Sequence, residues 1–273
     1  MANQNHKDFD TLGEFINYVE KTPIAWKNAT PQSINHSADS FTGGVDWQGA
    51  LDLSKKGWQE GRNKLVKELD GMKGLTATGS YRETAHDVSG YLPDVPRAIV
   101  GMPDCMFTDG DEIRKVKPVV KIMVSIDAHC RIKANTIQWR GAAVLSYIDQ
   151  LEERGQRCEI WTYFNSRKGM REISYAICLK QAGEPLDIDR MAFCLVHPAF
   201  MRRLGFKFIE TYPYEEFARG YGQPKGCSKE ERERLGVTVY LDQIEENFSG
   251  QEQALRSVTA EIETQLNPHK EEA

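Results

Sequence analysis

The chain of 273 residues has no apolar run approaching the roughly 20 residues that a helix needs to cross a bilayer. Its opening, MANQNHKDFD, lacks both the basic and the apolar segment of a secretory leader. Both absences predict a cytoplasmic protein with no membrane partner. Also missing are the G-x-x-x-x-G-K-[ST] phosphate loop, the G-x-S-x-G elbow, the H-E-x-x-H zinc pair and the G-x-G-x-x-G dinucleotide turn. The acids form no recognisable set for Mg²⁺-dependent nuclease chemistry. Asp127, His129 and Cys130 are close in sequence, but alternating residues at a strand end need not face one another, and His197 before Pro198 reads as structural. The expectation is a protein that is not an enzyme and carries no cofactor or metal. The six cysteines, Cys105, Cys130, Cys158, Cys178, Cys194 and Cys227, include no C-x-x-C pair. They read as reduced thiols, most of them buried, rather than a disulfide framework or a zinc site.

What the chain does have is a strand, loop, helix and strand from Pro118 to Phe164. Val119, Val120, Ile122, Met123, Val124 and Ile126 make a nearly continuous apolar run, the pattern of a strand covered on both faces. Asp127 ends it. Asn135 or Thr136 is placed to cap a helix whose apolar residues Ile137, Val144, Ile148 and Leu151 recur at helical spacing. Gly155 closes that helix. Cys158, Ile160, Trp161, Tyr163 and Phe164 supply the next strand, parallel to the first through a right-handed crossover.

Around this unit the pattern is uneven. Residues 8–21 form an amphipathic helix on Phe9, Leu12, Phe15, Ile16 and Val19, and residues 22–46 form a long irregular connection. Asp46 caps a second helix that Gly57 interrupts or ends, and Arg62 to Leu69 offers a further amphipathic segment. The stretch GYLPDVPRAIVGMPDCMF, residues 90–107, holds three prolines and two glycines, which exclude a regular helix throughout. It reads as an ordered surface loop or a dimer contact. Ile173 to Leu179 is a buried strand, Phe200 to Leu204 a short helix, and Phe206, Phe208 and Ile209 a strand. Residues 212–228 return to loop chemistry. A last helix runs from about Asp242 through Ile244, Phe248, Leu255, Val258 and Ile262. The fold class is α/β, a single mostly parallel sheet with flanking helices, long irregular loops and a C-terminal acidic helix. Residues 1–240 are expected to form one domain with an N-terminal helical and irregular elaboration, and residues 241–273 an acidic helix and tail.

The net charge of −5 argues against a polyanionic partner only until its distribution is considered. Residues 241–273 hold eight acids and two bases, a net −6, so the preceding chain sums to +1. Within it, cations gather in Arg114, Lys115, Lys117, Lys121, Arg131, Lys133 and Arg140. Further groups are Arg154, Arg157, Arg167, Lys168 and Arg171, and then Arg202, Arg203 and Lys207. Local patches matter more than total charge for attracting polyanions.

The order of elements resembles the von Willebrand A type of doubly wound sheet, whose first strand leads into a D-x-S-x-S metal loop. With Asp127 as the first acid, the serine positions fall on His129 and Arg131. A permanent cation repels a hard divalent metal. The same loop suits an anion instead, because Arg131, Lys133 and the helix amino end present charge and backbone donors together.

Three motifs, GYLPDVPRAIVGMPDCM, WRGAAVLSYIDQLEERGQRCEIW and HPAFMRRLGF, extend over residues 90–206 and resemble a group of bacteriophage proteins. Together with its size, the chain is similar to the single-stranded-DNA-binding RNA polymerase cofactors of lytic podoviruses. That resemblance implies sequence-tolerant binding of single-stranded DNA, self-association into a homo-oligomer, a link to a phage RNA polymerase and a place in the bacterial host cytoplasm. Single-strand binders combine cations for phosphates with flat side chains for bases. The candidate set is Lys117, Lys121, Arg131, Lys133, Trp139, Arg140, Tyr163, Arg167, Lys168, Arg171, Arg202 and Arg203. Two of its groups would lie at the carboxyl ends of strands, where ligands of parallel α/β sheets gather. Each residue also has a plainer reading, with the aromatics as core, the cations as solvated surface and Arg202-Arg203 as neutralising a helix end. The alternative function is a degenerate von Willebrand A-type module that binds protein and no nucleic acid.

Overall fold

The computed structural model describes residues 3–27, 29–34, 40–61, 84–109 and 118–266. The chain divides into two compact units, residues 74–118 and the remainder.

The larger unit is built on the expected βαβ. Strand β5 (Val120–Ser125) leads through the loop 126–133 into helix α4 (Ala134–Glu153), which returns as β6 (Cys158–Lys168), parallel to β5. Gly155, at φ 73°, turns the chain out of the helix. A tight turn at Gly169 sends β7 (Arg171–Lys180) back antiparallel to β6. β1 (Asn3–Phe9) adds parallel to the outer edge of β7, and β9 (Val239–Leu241) adds parallel to β5. The sheet order is β1-β7-β6-β5-β9, with the two-residue β8 (Gln223–Pro224) pairing antiparallel to β6 beyond the end of β5. The sheet is therefore mostly parallel and flanked by helices, as its apolar runs predict.

Both faces are covered, which explains why β5 and β6 read as continuous apolar runs. One face and its helices form the larger core, where Val124, Phe164 and Tyr175 meet Phe15, Phe193, Phe200 and Phe208. Met123, Trp161, Tyr163, Cys178, Cys227 and Tyr240 form a second, smaller core. Each large apolar side chain fully buried here contributes about 1.5–3 kcal/mol. Helix α4 carries Gly141 where a Cβ would lie 2.3 Å from the carbonyl oxygen of Leu195, so only glycine allows helix α5 (Ile188–Val196) to approach so closely. All six cysteines are free, four of them buried, with Cys105 half-buried and Cys130 exposed.

Several expectations hold in kind and shift in extent. Helix α1 spans Leu12–Lys21, capped by Thr11, and β1 precedes it. Asp46 caps α2 (Trp47–Lys56), and Gly57 at φ 83° ends it. The last helix, α7 (Gln251–Leu266), starts nine residues later than Asp242, because β9 and its following loop occupy that stretch. Its Leu255, Val258 and Ile262 belong to the main core, so this segment is not a detached tail. The amphipathic segment Arg62 to Leu69 lies outside the described residues.

Two local readings are corrected. Phe206, Phe208 and Ile209 lie in a helix, α6 (Phe206–Glu210), rather than a strand. The π-helical turn Phe200–Gly205 runs straight into it, and continuous helical backbone overrides the alternating pattern of FKFIE. Asn135 and Thr136 do not cap α4. Lys133 holds the cap position without a side-chain cap bond, and Asn247 supplies the missing acceptor from far along the chain, taking the Lys133 N–H at 2.8 Å and the Thr136 hydroxyl at 3.1 Å.

The smaller unit holds an antiparallel sheet of order β2-β4-β3, from β2 (Thr84–Asp87), β3 (Leu92–Pro93) and β4 (Met106–Asp109). Between β3 and β4 lies α3 (Val95–Ile99), capped by Asp94 with Pro96 in its first turn, where a missing N–H costs nothing. Arg97 pairs with Asp104 at 2.5 Å and His86 with Asp94 at 2.9 Å. Val88, Tyr91, Leu92, Val95, Ile99, Val100 and Met102 are exposed.

Candidate nucleic-acid interface

The fold sorts the sequence-derived residues into three sets. Arg140, Tyr163, Arg202 and Arg203 are buried and correct the initial list, since each is committed to the interior. Arg140 donates to the carbonyl oxygens of Ser125, at 2.7 Å, and Asp242, tying the ends of β5 and β9 together. Tyr163 donates to Glu231 at 2.9 Å. Arg202 donates to the carbonyls of Phe41 and Ile132 at 2.8 and 2.9 Å and lies 3.9 Å from the Phe41 ring centroid. Arg203 donates to the carbonyls of Val45, Gln32 and Ser33. The paired arginines of HPAFMRRLGF thus hold down the connection between α1 and α2, taking up carbonyls at Gln32, Ser33, Phe41 and Val45.

Lys121, Lys168 and Arg171 form the second set, on the surface but engaged. Lys121 sits near the amino end of β5, away from the loop, 2.8 Å from Glu159 and over the Trp161 ring. Lys168 donates to the Arg219 carbonyl at 2.8 Å. Arg171 pairs with Glu216 at 2.6 Å and stacks on Tyr214. Lys117 lies outside the described residues.

Arg131, Lys133, Trp139 and Arg167 remain. Arg131 and Lys133 are exposed in the loop that joins β5 to α4, and neither makes an ion pair among the described residues. Trp139 is half-buried on the first turns of α4 and stands apart from the residues packed on the core. Arg167, at the carboxyl end of β6, is exposed, with Glu172 at 3.8 Å. The parallel pairing of β5 and β6 brings both basic groups to one edge of the sheet.

A cleft with a volume of about 90 Å³ lies between them, bounded by Asp127 to Cys130 on one side and by Ser166 and the loop Gly220 to Pro224 on the other. Gly220, Tyr221 and Gly222 all have positive φ, at 113°, 48° and 81°. For Tyr221 this costs about 1–2 kcal/mol. The geometry is held by the Tyr221 hydroxyl donating to Glu210, by the Gln32 N–H donating to that hydroxyl at 2.8 Å, and by the Ser166 hydroxyl donating to the Tyr221 carbonyl. At Gly222 a Cβ would fall 2.4 Å from Ser166 Oγ. Deeper in the cleft, Asp127 is buried and its Oδ2 accepts the Asn165 N–H at 2.8 Å and the Ser125 hydroxyl at 3.2 Å. Burial holds its carboxyl well above the ordinary range and Asp242 adds to that, against the lowering effect of those two bonds and of Arg140. Beside it, Asn165 Oδ1 is buried with no hydrogen-bond partner. The sequence reading missed Asn165, the strained loop and Asn247. Only the glycine spacing of RGYGQPKG marked any of them in advance.

Acids border the basic loop. Glu245 and Glu246 are exposed and precede Asn247, which also donates to the Arg131 carbonyl at 3.3 Å. Among the described residues no group of three or more His, Cys, Asp or Glu is placed to hold a metal ion, and no helix is long and apolar enough to cross a membrane.

These features define an α/β protein with a helix-flanked, mostly parallel sheet and a polar cleft between basic groups at its carboxyl edge. The chain belongs to the DUF7192 family, a domain of unknown function whose model matches residues 3–267. No curated protein and no solved structure matches it.

Proposed function

We propose that this protein binds single-stranded DNA with little sequence preference and serves as a transcription cofactor of a phage RNA polymerase in the host cytoplasm. The observation that carries the reading is the exposed pair Arg131 and Lys133 at the amino end of α4, with half-buried Trp139 on the same helix. Exposed cations and a partly exposed ring near one end of a helix suit a partner that offers both phosphates and unstacked bases. The exposed apolar residues between Val88 and Met102 support a protein contact, either with the polymerase or between copies of the chain, since contiguous apolar surface marks interaction sites.

That same apolar group favours the second reading, an interaction module of von Willebrand A type without nucleic acid. Titration of labelled single-stranded DNA and of matched duplex, each at several salt concentrations, separates the two. The first reading expects preference for the single strand and a steep loss of affinity with salt. Absence of binding at low salt favours the second. Cleavage of either substrate that EDTA abolishes would contradict both.

A further inference from the structure

The smaller unit turns its apolar side chains outward. Among the described residues, seven of the nine large apolar side chains that are exposed fall between Val88 and Met102, from 42% exposed at Met102 to 78% at Ile99. Val95 and Ile99 stand one turn apart on α3 and share a side of it, with Pro93, Pro96 and Ala98 exposed beside them. No residue from His86 to Thr108 is buried. A sheet of strands only two to four residues long gains stability by burying an apolar face. Here that face is open, so the contact that stabilises it has to come from outside the sheet and α3.

Charge, area and availability point to one partner. From Val88 to Met102 the only charged residues are Asp94 and Arg97, and both are already paired, Asp94 with His86 and Arg97 with Asp104. In a two-fold contact the same surface meets itself, so an unpaired charge there would oppose its like. This surface carries none, and it offers little to a partner recognised by charge. At roughly 60–120 Å² of apolar area for each large side chain, the seven exposures and the neighbouring prolines leave on the order of 500 Å² open. A homodimer interface of about 800 Å² per partner, about 65% apolar, takes up that much. A unit that is stabilised from outside also needs its partner from synthesis onward, and a second copy is present wherever the chain is. We propose that the chain forms a two-fold homodimer through the face between Val88 and Met102 of each copy. The dimer assigns the apolar contact of the proposed function to one partner and does not depend on DNA.

The test is analytical ultracentrifugation of the full chain from nanomolar to micromolar concentrations, with amide hydrogen exchange of residues 84–109 followed alongside. The parent should sediment at twice the chain mass, with slow exchange in this stretch. Ile99→Lys with Val100→Lys should raise the dimer dissociation constant by about a hundredfold or more, since it sets like charges against each other in the contact. Both side chains are exposed, so the melting of the larger unit should not change. Tyr91→Ser with Leu92→Ser should weaken the dimer as well, and serves if the lysines disturb α3. A parent that is monomeric at every concentration would overturn the inference. Slow exchange of 84–109 in that monomer would mean that the chain covers the face itself, and fast exchange would leave it to a different protein. A dimer that persists undiminished in both variants would also overturn it, by placing the contact elsewhere. A dimer that ignores DNA would uphold the inference while the single-strand reading fails, and a monomer that binds DNA would do the reverse.

Discussion

The side-chain oxygen of Asn247 accepts the backbone N–H of Lys133 at 2.8 Å across 114 residues of sequence. Through it the loop before the last helix fixes the start of α4 and the shape of the basic loop. Asn247→Ala removes an N-cap-like acceptor, and such losses cost about 0.5–2 kcal/mol. Chemical denaturation should show that loss in the transition midpoint with an unchanged slope. The same variant should bind single-stranded DNA more weakly, because Arg131 and Lys133 are then held less firmly.

Arg202→Ala is expected to act on stability alone. It removes two charged hydrogen bonds to buried carbonyls, each worth about 1.5–3 kcal/mol, and loosens the connection 22–46. Urea titration should show a loss of several kcal/mol. At temperatures where the variant remains folded, its DNA affinity should match the parent.

His197 should make the fold acid-sensitive. Burial pushes its imidazole down to about 4 from 6.5, so the native state keeps it neutral where the unfolded chain is protonated. Its stabilising contribution is fully present above pH 6.5 and is lost as pH falls through 4, by roughly 3 kcal/mol. The ring also accepts the Ala199 N–H through Nδ1 at 3.1 Å, a bond that His197→Asn can keep. Stability curves of the two proteins should diverge above pH 6.5 by a constant amount and converge between pH 6.5 and 4.

His6 works in the opposite sense. Burial lowers its affinity for protons, but bonds to Glu231 at 2.9 Å and Asp8 at 2.6 Å outweigh that and raise it above 6.5. Its contribution is present below the unfolded value and is lost as pH rises through the raised native value. His6→Gln should flatten that part of the stability curve, and proton exchange of β1 amides should report the effect first, since β1 is an edge strand.

Removing residues 241–273 is not a clean way to unmask the basic loop, because Leu241 lies in β9 and Leu255, Val258 and Ile262 pack in the main core. Charge removal in place is cleaner. Glu245→Gln with Glu246→Gln should strengthen single-strand binding by about two- to fivefold at low salt, with the gain vanishing near 1 M salt as screening shortens to about 3 Å.

The parts of the fold that were legible in the sequence share one property: local pattern and tertiary placement agree. The β5–α4–β6 unit, the Asp46 cap and the buried run of β7 show this. β1 was missed because NQNHKDF is polar, and its His6 and Asp8 find charged partners in Glu231 and Arg234, far along the chain. Three residues of β9 are too short to register as a pattern. Arg202 and Arg203 read as surface cations because sequence does not reveal that a long irregular connection offers unsatisfied carbonyls to them. Asn165 and Asn247 carried no signal, since an asparagine in a strand or loop becomes informative only when its neighbours in space are known.

The central claim is that Arg131 and Lys133 meet DNA phosphates. Its most direct test is the salt dependence of single-strand affinity in the parent protein and in the Arg131→Ala, Lys133→Ala double variant, with melting temperatures measured alongside. Losing two phosphate contacts should weaken binding to every sequence and reduce the slope of log affinity against log salt by about 1.4, at about 0.7 per contact on a single strand. An unchanged slope and affinity in a double variant that melts like the parent would contradict the account.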